Sequence, residues 1–217
     1  MDEQSDTSSL SKGSKTKEKI LKISLRLFSA KGFKLTTVRD IAGAIGIKQS
    51  ALYNHFKNKD EILEALIGNL TTSAIVTIFD NKDEQQIYKQ GKSLLTSIAT
   101  TFKLVSFDLQ NEALFKLLMQ ELFKNSQIRE IYSEHFYQEN VKILSRHFFM
   151  MMQDDMIKSS DPLLLANEFF SPLFFYQMQI SLLKLDKKST SSVVSLFEKH
   201  VDHFWDSIKI VKKETLF

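Results

Sequence analysis

The chain contains no cysteine, which excludes disulfides, thiol nucleophiles and thiolate metal sites. Two prolines and six glycines in 217 residues leave few turn signals, and alternating β-branched runs are missing. Helices are therefore expected nearly throughout. Long apolar runs are missing too. The longest uncharged stretches, 65–79 and 169–183, hold fifteen residues each, short of the ~20 that a membrane span requires. The second also contains Pro172, Gln177 and Gln179, and both read as buried helices. The first residues show no apolar run of the kind a signal peptide carries. The expectation is a cytoplasmic chain with no membrane partner.

Catalytic patterns are scarce as well. There is no glycine-rich phosphate loop, no nucleophile elbow, no His-Glu-x-x-His and no Glu-x-x-His. His200 and His203 stand three apart, a spacing that metals use, but a surface or interface feature is the commoner reason for such a pair. An enzyme or a resident cofactor has no positive support, so no catalytic or metal residue is assigned.

What is present is a core and an uneven charge. Hydrophobic residues make up 43% of the chain, enough for one large domain or two small ones. Residues 1–60 carry a net charge of +6, and residues 61–217 a net of −3. A basic end is the electrostatic footprint of a nucleic-acid binder, although a solvated charged face has the same composition.

Residues 36–60, TTVRDIAGAIGIKQSALYNHFKNKD, organise that basic end. Thr36 or Thr37 can cap a helix, and Asp40 suits its first turn. Val38, Ile41, Ala42 and Ile45 form one apolar face. Gly46 ends the helix. A second helix is expected over about 49–55, with Leu52 and Phe56 turned inward. Two short helices about a glycine turn make a helix-turn-helix, whose second helix enters the DNA major groove. The small Ala42 permits a close crossing. The outward face carries Lys48, Gln49, Ser50, Tyr53, Asn54 and His55, all donors or acceptors and none a carboxylate. Lys59 is expected beside the next helix N-terminus, placed to grip a phosphate.

Gly32-Phe33, Thr36-Thr37-Val38, Ile41-Ala42, Ile45-Gly46-Ile47, Leu52-Tyr53, His55-Phe56 and Lys59 resemble the N-terminal domain of TetR-family (TetR/AcrR-like) transcriptional repressors. The tract Leu52 to Lys59 is the most specific part, and the resemblance covers residues 16–66. Two departures stand out. Ile23 and Ser24 replace the usual pair of alanines, and Ser50-Ala51 lacks the threonine many members have, which leaves base preference there open. The helix-turn-helix makes Arg39, Lys48, Gln49 and His55 candidates for base-edge or groove contacts and Thr37, Tyr53 and Lys59 candidates for phosphate contacts, with Ser50 and Asn54 on the same face. A three-helix packing unit with no DNA role is the alternative.

Along the chain, residues 1–14 read as a disordered arm, 15–60 as the DNA-binding domain and 61–217 as a helical effector-binding and dimerisation domain. Helices are expected over about 15–31, from 59, and over 84–105, 109–124 and 126–152, with a polar break at 81–83 and a loop at 153–160. Asp161-Pro162 opens another helix as N-cap and first residue, with Pro172 inside it. Leu173, Tyr176 and Ile180, and then Val194, Phe197, Val201, Phe204 and Ile208, recur at heptad-like spacing. Either both seams face the core of one chain or they build a four-helix bundle between two protomers. The resemblance favours the dimer interface.

Aromatic residues concentrate after residue 100. Phe102, Phe115, Met119, Phe136, Phe148, Phe170 and Phe174 are candidates for an effector pocket, which the family implies, although aromatic core is the commoner use. Glu112, Glu121 or Glu134 are candidates to meet a cationic group on such a ligand, although a solvated helix face explains them as well. The fold expected is all-α, of about nine helices. The function expected is a homodimeric repressor on a near-palindromic double-stranded operator, released by a small hydrophobic or amphipathic effector. The rival is a helical ligand-binding or scaffold protein that keeps the three-helix unit without using it on DNA.

Overall fold

The computed structural model describes residues 4–71 and 84–211. Helix α1 spans Gln4–Lys31, α2 Val38–Ile45, α3 Gln49–Tyr53 and α4 Lys59–Thr71. After residues 72–83 come α5 (Glu84–Ile87), a 3-10 turn (Tyr88–Gln90), α6 (Lys92–Val105), α7 (Leu109–Leu122) and α8 (Ser126–Ile131). A π-helical segment (Tyr132–Gln138) leads into α9 (Glu139–Gln153), followed by α10 (Pro162–Leu185) and α11 (Ser191–Ile208). Among the described residues the only β pairing is one bridge, Ile157 with Lys209, and no helix is long and apolar enough to cross a membrane. The expected break at 81–83 and much of the stretch 65–79 lie outside the described residues.

Helix α1 starts earlier than composition predicts. The polar residues read as a disordered arm are helical from Gln4 onward. Propagating an existing helix adds one hydrogen bond for each residue ordered, so weak helix formers can extend a helix nucleated by packing further along.

Two compact units divide the chain. One is Met1–Leu70 with Ala113–Tyr132, and the other is Thr71–Glu112 with Ser133–Phe217. This moves the boundary expected at 60/61. In the first unit, Ile20 and Phe28 of α1, Ile41 of α2, Leu52 of α3 and Phe56 share one buried cluster with Ile62, Leu63, Leu66 and Ile67 of α4. Leu114, Leu117 and Leu118 of α7 and Ile128 of α8 belong to the same cluster. The physical reason is size: three helices within about 45 residues bury too little surface to stand alone, and the apolar faces of α4, α7 and α8 supply the remainder.

In the second unit α10 packs on α9 and α11, and α11 packs on α6. Asp161 caps α10 by accepting from Leu163 N (2.8 Å) and Leu164 N (3.3 Å), with Pro162 in the first turn. The helix then runs on through Pro172. The residues expected to form the dimer seam do something else. Leu173, Ile180, Phe197, Val201, Phe204 and Ile208 are buried within the single chain, and Tyr176 and Val194 are half-buried. Phe204 sits 5.3 Å from Phe169 and 5.6 Å from Phe148, ring to ring. A heptad-like seam shows that a helix faces a partner; it is silent on whether that partner belongs to the same chain. Here it does.

Two regular helices expected from periodicity are interrupted. Residues 84–105 break at Gly91, whose φ of +53° admits few residues but glycine. A Cβ there would stand 2.9 Å from the Trp205 ring. The stretch 126–152 carries the π segment, after which the buried Asn140 side chain donates to the Phe136 carbonyl. The loop 153–160 is tied down: Lys158 N donates to Ile208 O at 2.8 Å, and Lys158 Nζ to Ser207 O at 2.8 Å.

Ser24 in α1 is fully buried, and its hydroxyl has no hydrogen-bond partner. An unsatisfied buried hydroxyl costs about 1–3 kcal/mol. Ser24→Ala is expected to raise unfolding stability by about 1 kcal/mol in urea titration. A loss of stability would show that the hydroxyl is bonded in solution.

Candidate nucleic-acid interface

The helix-turn-helix is set by caps at both ends of α2. Thr37, in extended conformation, is the N-cap; its Oγ1 accepts from Asp40 N (3.1 Å) and donates to Asp40 Oδ2 (2.8 Å). The same Oδ2 accepts from Thr37 N at 2.9 Å, closing a capping box. Hydrogen bonds from the Thr37 backbone and then its side chain hold the Asp40 carboxyl below its ordinary range. Thr36 turns the other way. It is buried, and its hydroxyl donates to Gly32 O at 2.9 Å. Gly46 ends α2 at φ +81°, donating to Ala42 O at 3.0 Å, and Ile47 N donates to the same oxygen. Ala42, Leu52 and Phe56 are all buried, so the second helix seats against the first.

Helix α3 is shorter than expected. It ends at Tyr53, and His55 N and Phe56 N both return to Leu52 O, at 2.9 and 3.1 Å. Asn54 and His55 therefore lie in the turn after the helix. Lys48, Gln49, Ser50, Tyr53 and Asn54 are exposed together, with His55 half-buried, and Arg39 and Thr37 are exposed on α2 and its cap. Lys48 is the N-cap of α3 and makes no side-chain capping bond.

Two residues expected on phosphates are otherwise employed. The Thr37 hydroxyl proton goes to Asp40. The Lys59 ammonium donates to Phe33 O (2.7 Å), Thr36 O (2.8 Å) and Lys34 O (3.4 Å), and lies 4.3 Å from the Phe33 ring centroid. The N-terminus of α4 is closed by Asn58, whose Oδ1 accepts from Glu61 N at 2.8 Å, and by Glu61, which accepts from Lys57 N at 2.5 Å. Lys59, expected on a phosphate, is drawn toward the carbonyls of the loop before α2. Sequence reading also missed Lys19, which donates to Ile45 O at the end of α2 (3.3 Å), and Lys17, 5.3 Å from the Phe56 ring centroid. Both contacts span more than twenty-five residues, where periodicity carries no signal. The Thr37–Asp40 box was legible as a Thr-x-x-acid pattern.

The seven residues proposed for an effector pocket do not form one group. Phe115 and Met119 belong to the first unit, where Met119 packs on the shared core. In the second unit the Phe102 and Phe136 rings sit 5.6 and 5.9 Å from Phe170, and Phe136 sits 5.7 Å from Phe174. Phe148 joins Phe169 and Phe204 instead. Two grooves of the second unit lie elsewhere. One of about 250 Å³ runs between α6 and α11 beside Lys103, Phe197 and Glu198. The other, about 420 Å³, is lined by Tyr137, Val141, Leu163 and Asn167 among others. Of the acids considered for a cationic ligand, Glu112 pairs with Lys184 at 2.7 Å and Glu121 is buried. His200 stacks on Phe169 at 5.5 Å, and its Nε2 pairs with Phe169 O at 2.9 Å. Burial holds its pKa below the ordinary 6.5.

Residues 20–66 match the family described as bacterial regulatory proteins, tetR family. Over 47 residues, 22% of this chain, it is 51% identical to YerO of Bacillus subtilis, an uncharacterized HTH-type transcriptional regulator, covering 16% of that protein. Over 68 residues it is 37% identical to IcaR of Staphylococcus epidermidis, the negative transcriptional regulator of the icaADBC biofilm operon, covering 31% of this chain and 37% of IcaR. The chain therefore spans less than two fifths of these curated relatives. Solved structures share the fold over more of its length. SmeT in complex with triclosan superposes with a TM-score of 0.70 at 16% identity, over 93% of this chain and 94% of SmeT. KstR2 of Mycobacterium tuberculosis gives 0.58 at 15% identity, over 90% and 96%. The sequence match to the tetR family of bacterial regulatory proteins thus covers the helix-turn-helix region, and beyond it the likeness to these solved structures is one of fold.

Proposed function

We propose that the protein is a sequence-specific DNA-binding transcriptional repressor, homodimeric on a near-palindromic operator and released by a small hydrophobic or amphipathic effector. The observation that carries this is the exposed face of Lys48, Gln49, Ser50, Tyr53 and Asn54, free of carboxylates and flanked by Arg39. Polar donors and acceptors of this kind read base edges, and cations fix the register on phosphates. The similarity to IcaR, a negative regulator, supports repression. The complex of SmeT with triclosan supports a small-molecule effector. A ligand releases DNA only by preferring a state that binds DNA less well, and a useful switch needs a preference of roughly 1–3 kcal/mol.

A dimer interface other than the buried seam is required. Helix α10 offers one on its opposite side. Leu164, Phe175, Leu182 and Leu185 are exposed there, with Ser171 in the same row. They step by three and four or by whole heptads, so they share a face. Exposed apolar rows of this kind mark interaction surfaces.

Two outcomes are expected. The chain should select a near-palindromic duplex with half-sites about 34 Å apart, or a multiple of that. Its affinity should fall steeply with salt, and Lys48→Ala should relax base preference at one position of each half-site in a selection experiment. Binding indifferent to salt and sequence would overturn the reading. For the dimer, Phe175→Asp with Leu182→Asp should leave the fold intact by circular dichroism and give monomers in sedimentation. Phe204→Asp buries a charge in the core and should instead unfold the second unit, at several kcal/mol. A folded, fully dimeric Phe175→Asp/Leu182→Asp protein would move the interface off this face.

A further inference from the structure

We propose that the groove beside the π-helical segment binds a small amphipathic carboxylate and that the effector acts there, the second half resting on the repressor reading above. The groove, about 420 Å³, falls in the size range of small-molecule sites. Its lining divides by chemistry. Val141, Leu163 and the Tyr137 ring make one part apolar. Gln138, Lys142 and Ser145 make the other; they step by four and three along one helical run and so share a side. Among the described residues, no hydrogen bond or ion pair engages these three side chains. No carboxylate lines the groove. Glu139 and Asp161 are neighbours in sequence, but neither belongs to the lining, and Asp161 is taken up as the cap of α10. An ammonium only donates, and its hydrogen bonds to a carboxylate are among the strong ones. An apolar surface edged by one cation, an amide and a hydroxyl therefore selects an apolar body that ends in a carboxylate. A cationic ligand would meet Lys142 with nothing to offset it.

The backbone beside the groove is unusual. Tyr132–Gln138 is π-helical, a rare geometry that interrupts α-helices, frequently at functional sites. Its wider turn lets two consecutive rings bear on Phe170, Phe136 at 5.9 Å and Tyr137 at 6.4 Å. Phe136 is buried, whereas Tyr137 stays at the surface and ties the segment to α10. Its hydroxyl donates to Asn167 Oδ1, and Asn167 Nδ2 donates to Leu163 O at 2.9 Å. The apolar part of the groove is thus one connected piece of the π segment and the first turns of α10. The same segment carries the consequence for DNA. Tyr132, its first residue, packs on the core of the unit that holds the helix-turn-helix and is the last residue of that unit. Tyr137 and Gln138, its last two, line the groove. A ligand that prefers one geometry of this segment acts on a run of helix that begins in that core. Such a difference in affinity between two states is what a ligand needs to shift an equilibrium.

The test uses full-length protein with decanoate as the probe and decanamide as its neutral counterpart, both below the concentrations at which they aggregate. Isothermal titration calorimetry reads the affinities. Lys142→Met and Leu163→Asp change exposed side chains, and an aspartate suits the first turn of α10, so both variants should fold. Decanoate is expected to saturate and to bind about tenfold more tightly than decanamide. Lys142→Met should remove that preference by weakening decanoate alone, and Leu163→Asp should weaken both probes. Equal affinity for the two probes, uptake that never saturates, or decanoate binding unaltered in either variant overturns the site. If circular dichroism shows a variant misfolded, Lys142→Gln or Leu163→Ser replaces it in the same titrations. The duplex that the wild-type chain selects from a random library is then titrated with and without saturating decanoate. The probe should lower operator affinity about fivefold or more in wild type and leave it unaltered in Lys142→Met. Decanoate bound in the groove with operator affinity unchanged overturns the assignment of the effector to it. If wild-type protein binds no duplex, the repressor reading fails by itself, and the groove stands or falls on the calorimetry.

Discussion

Burial of the α4 face against the helix-turn-helix is the interaction on which the first unit depends. Ile62, Leu63, Leu66 and Ile67 close over Phe28, Ile41, Leu52 and Phe56. Each such side chain, fully removed from water, contributes about 1.5–3 kcal/mol. α2 and α3, with eight and five residues, are too short to persist alone in water. Their geometry is therefore a property of the cluster that includes α4, α7 and α8 rather than of the motif. The exposed residues Lys48, Gln49, Ser50, Tyr53 and Asn54 are carried by elements whose other face is buried in this cluster.

Within that frame, lysines act as internal fasteners. Lys59 gathers three loop carbonyls, and Lys19 reaches the last carbonyls of α2 at Ile45. The second unit repeats the device. Lys184 near the end of α10 donates to Ser106 O (2.8 Å) and Glu112 (2.7 Å), with its ammonium 4.5 Å from the Phe107 ring centroid. A flexible four-carbon stem with a compact three-donor head suits this task better than arginine's flat fork. Each case places an ammonium on backbone carbonyls at a loop or helix end, where the regular ladder stops. Ion pairs on the outer surface, such as Lys188–Asp186, add little by comparison, because water screens them.

The second unit uses its aromatic residues as core. Phe102, Phe136, Phe170 and Phe174 contact one another, and Phe148, Phe169 and Phe204 form a second set. Edge-to-face and tilted rings pack well and add to the burial energy. With both seams of α10 and α11 facing inward, the apolar row from Leu164 to Leu185 is left on the outside.

Much of this was readable from residue order alone. The all-helical architecture followed from scarce glycine and proline and from 3.6-residue periodicity. The ends of α2, the Asp161-Pro162 start of α10 and the inward Leu52 and Phe56 followed from caps and spacing, which are local chemistry. The TetR-like tract lies within the stretch that matches the tetR family model, residues 20–66. What required the folded structure were contacts between distant residues: the recruitment of 113–132 into the unit that holds the helix-turn-helix, the loop carbonyls around Lys59, and the side of α10 that faces its own chain. The reason is common to all three. Periodicity shows that a face is apolar and a side chain shows what it can bond, but the partner across the contact lies dozens of residues away, and only packing decides which one it is.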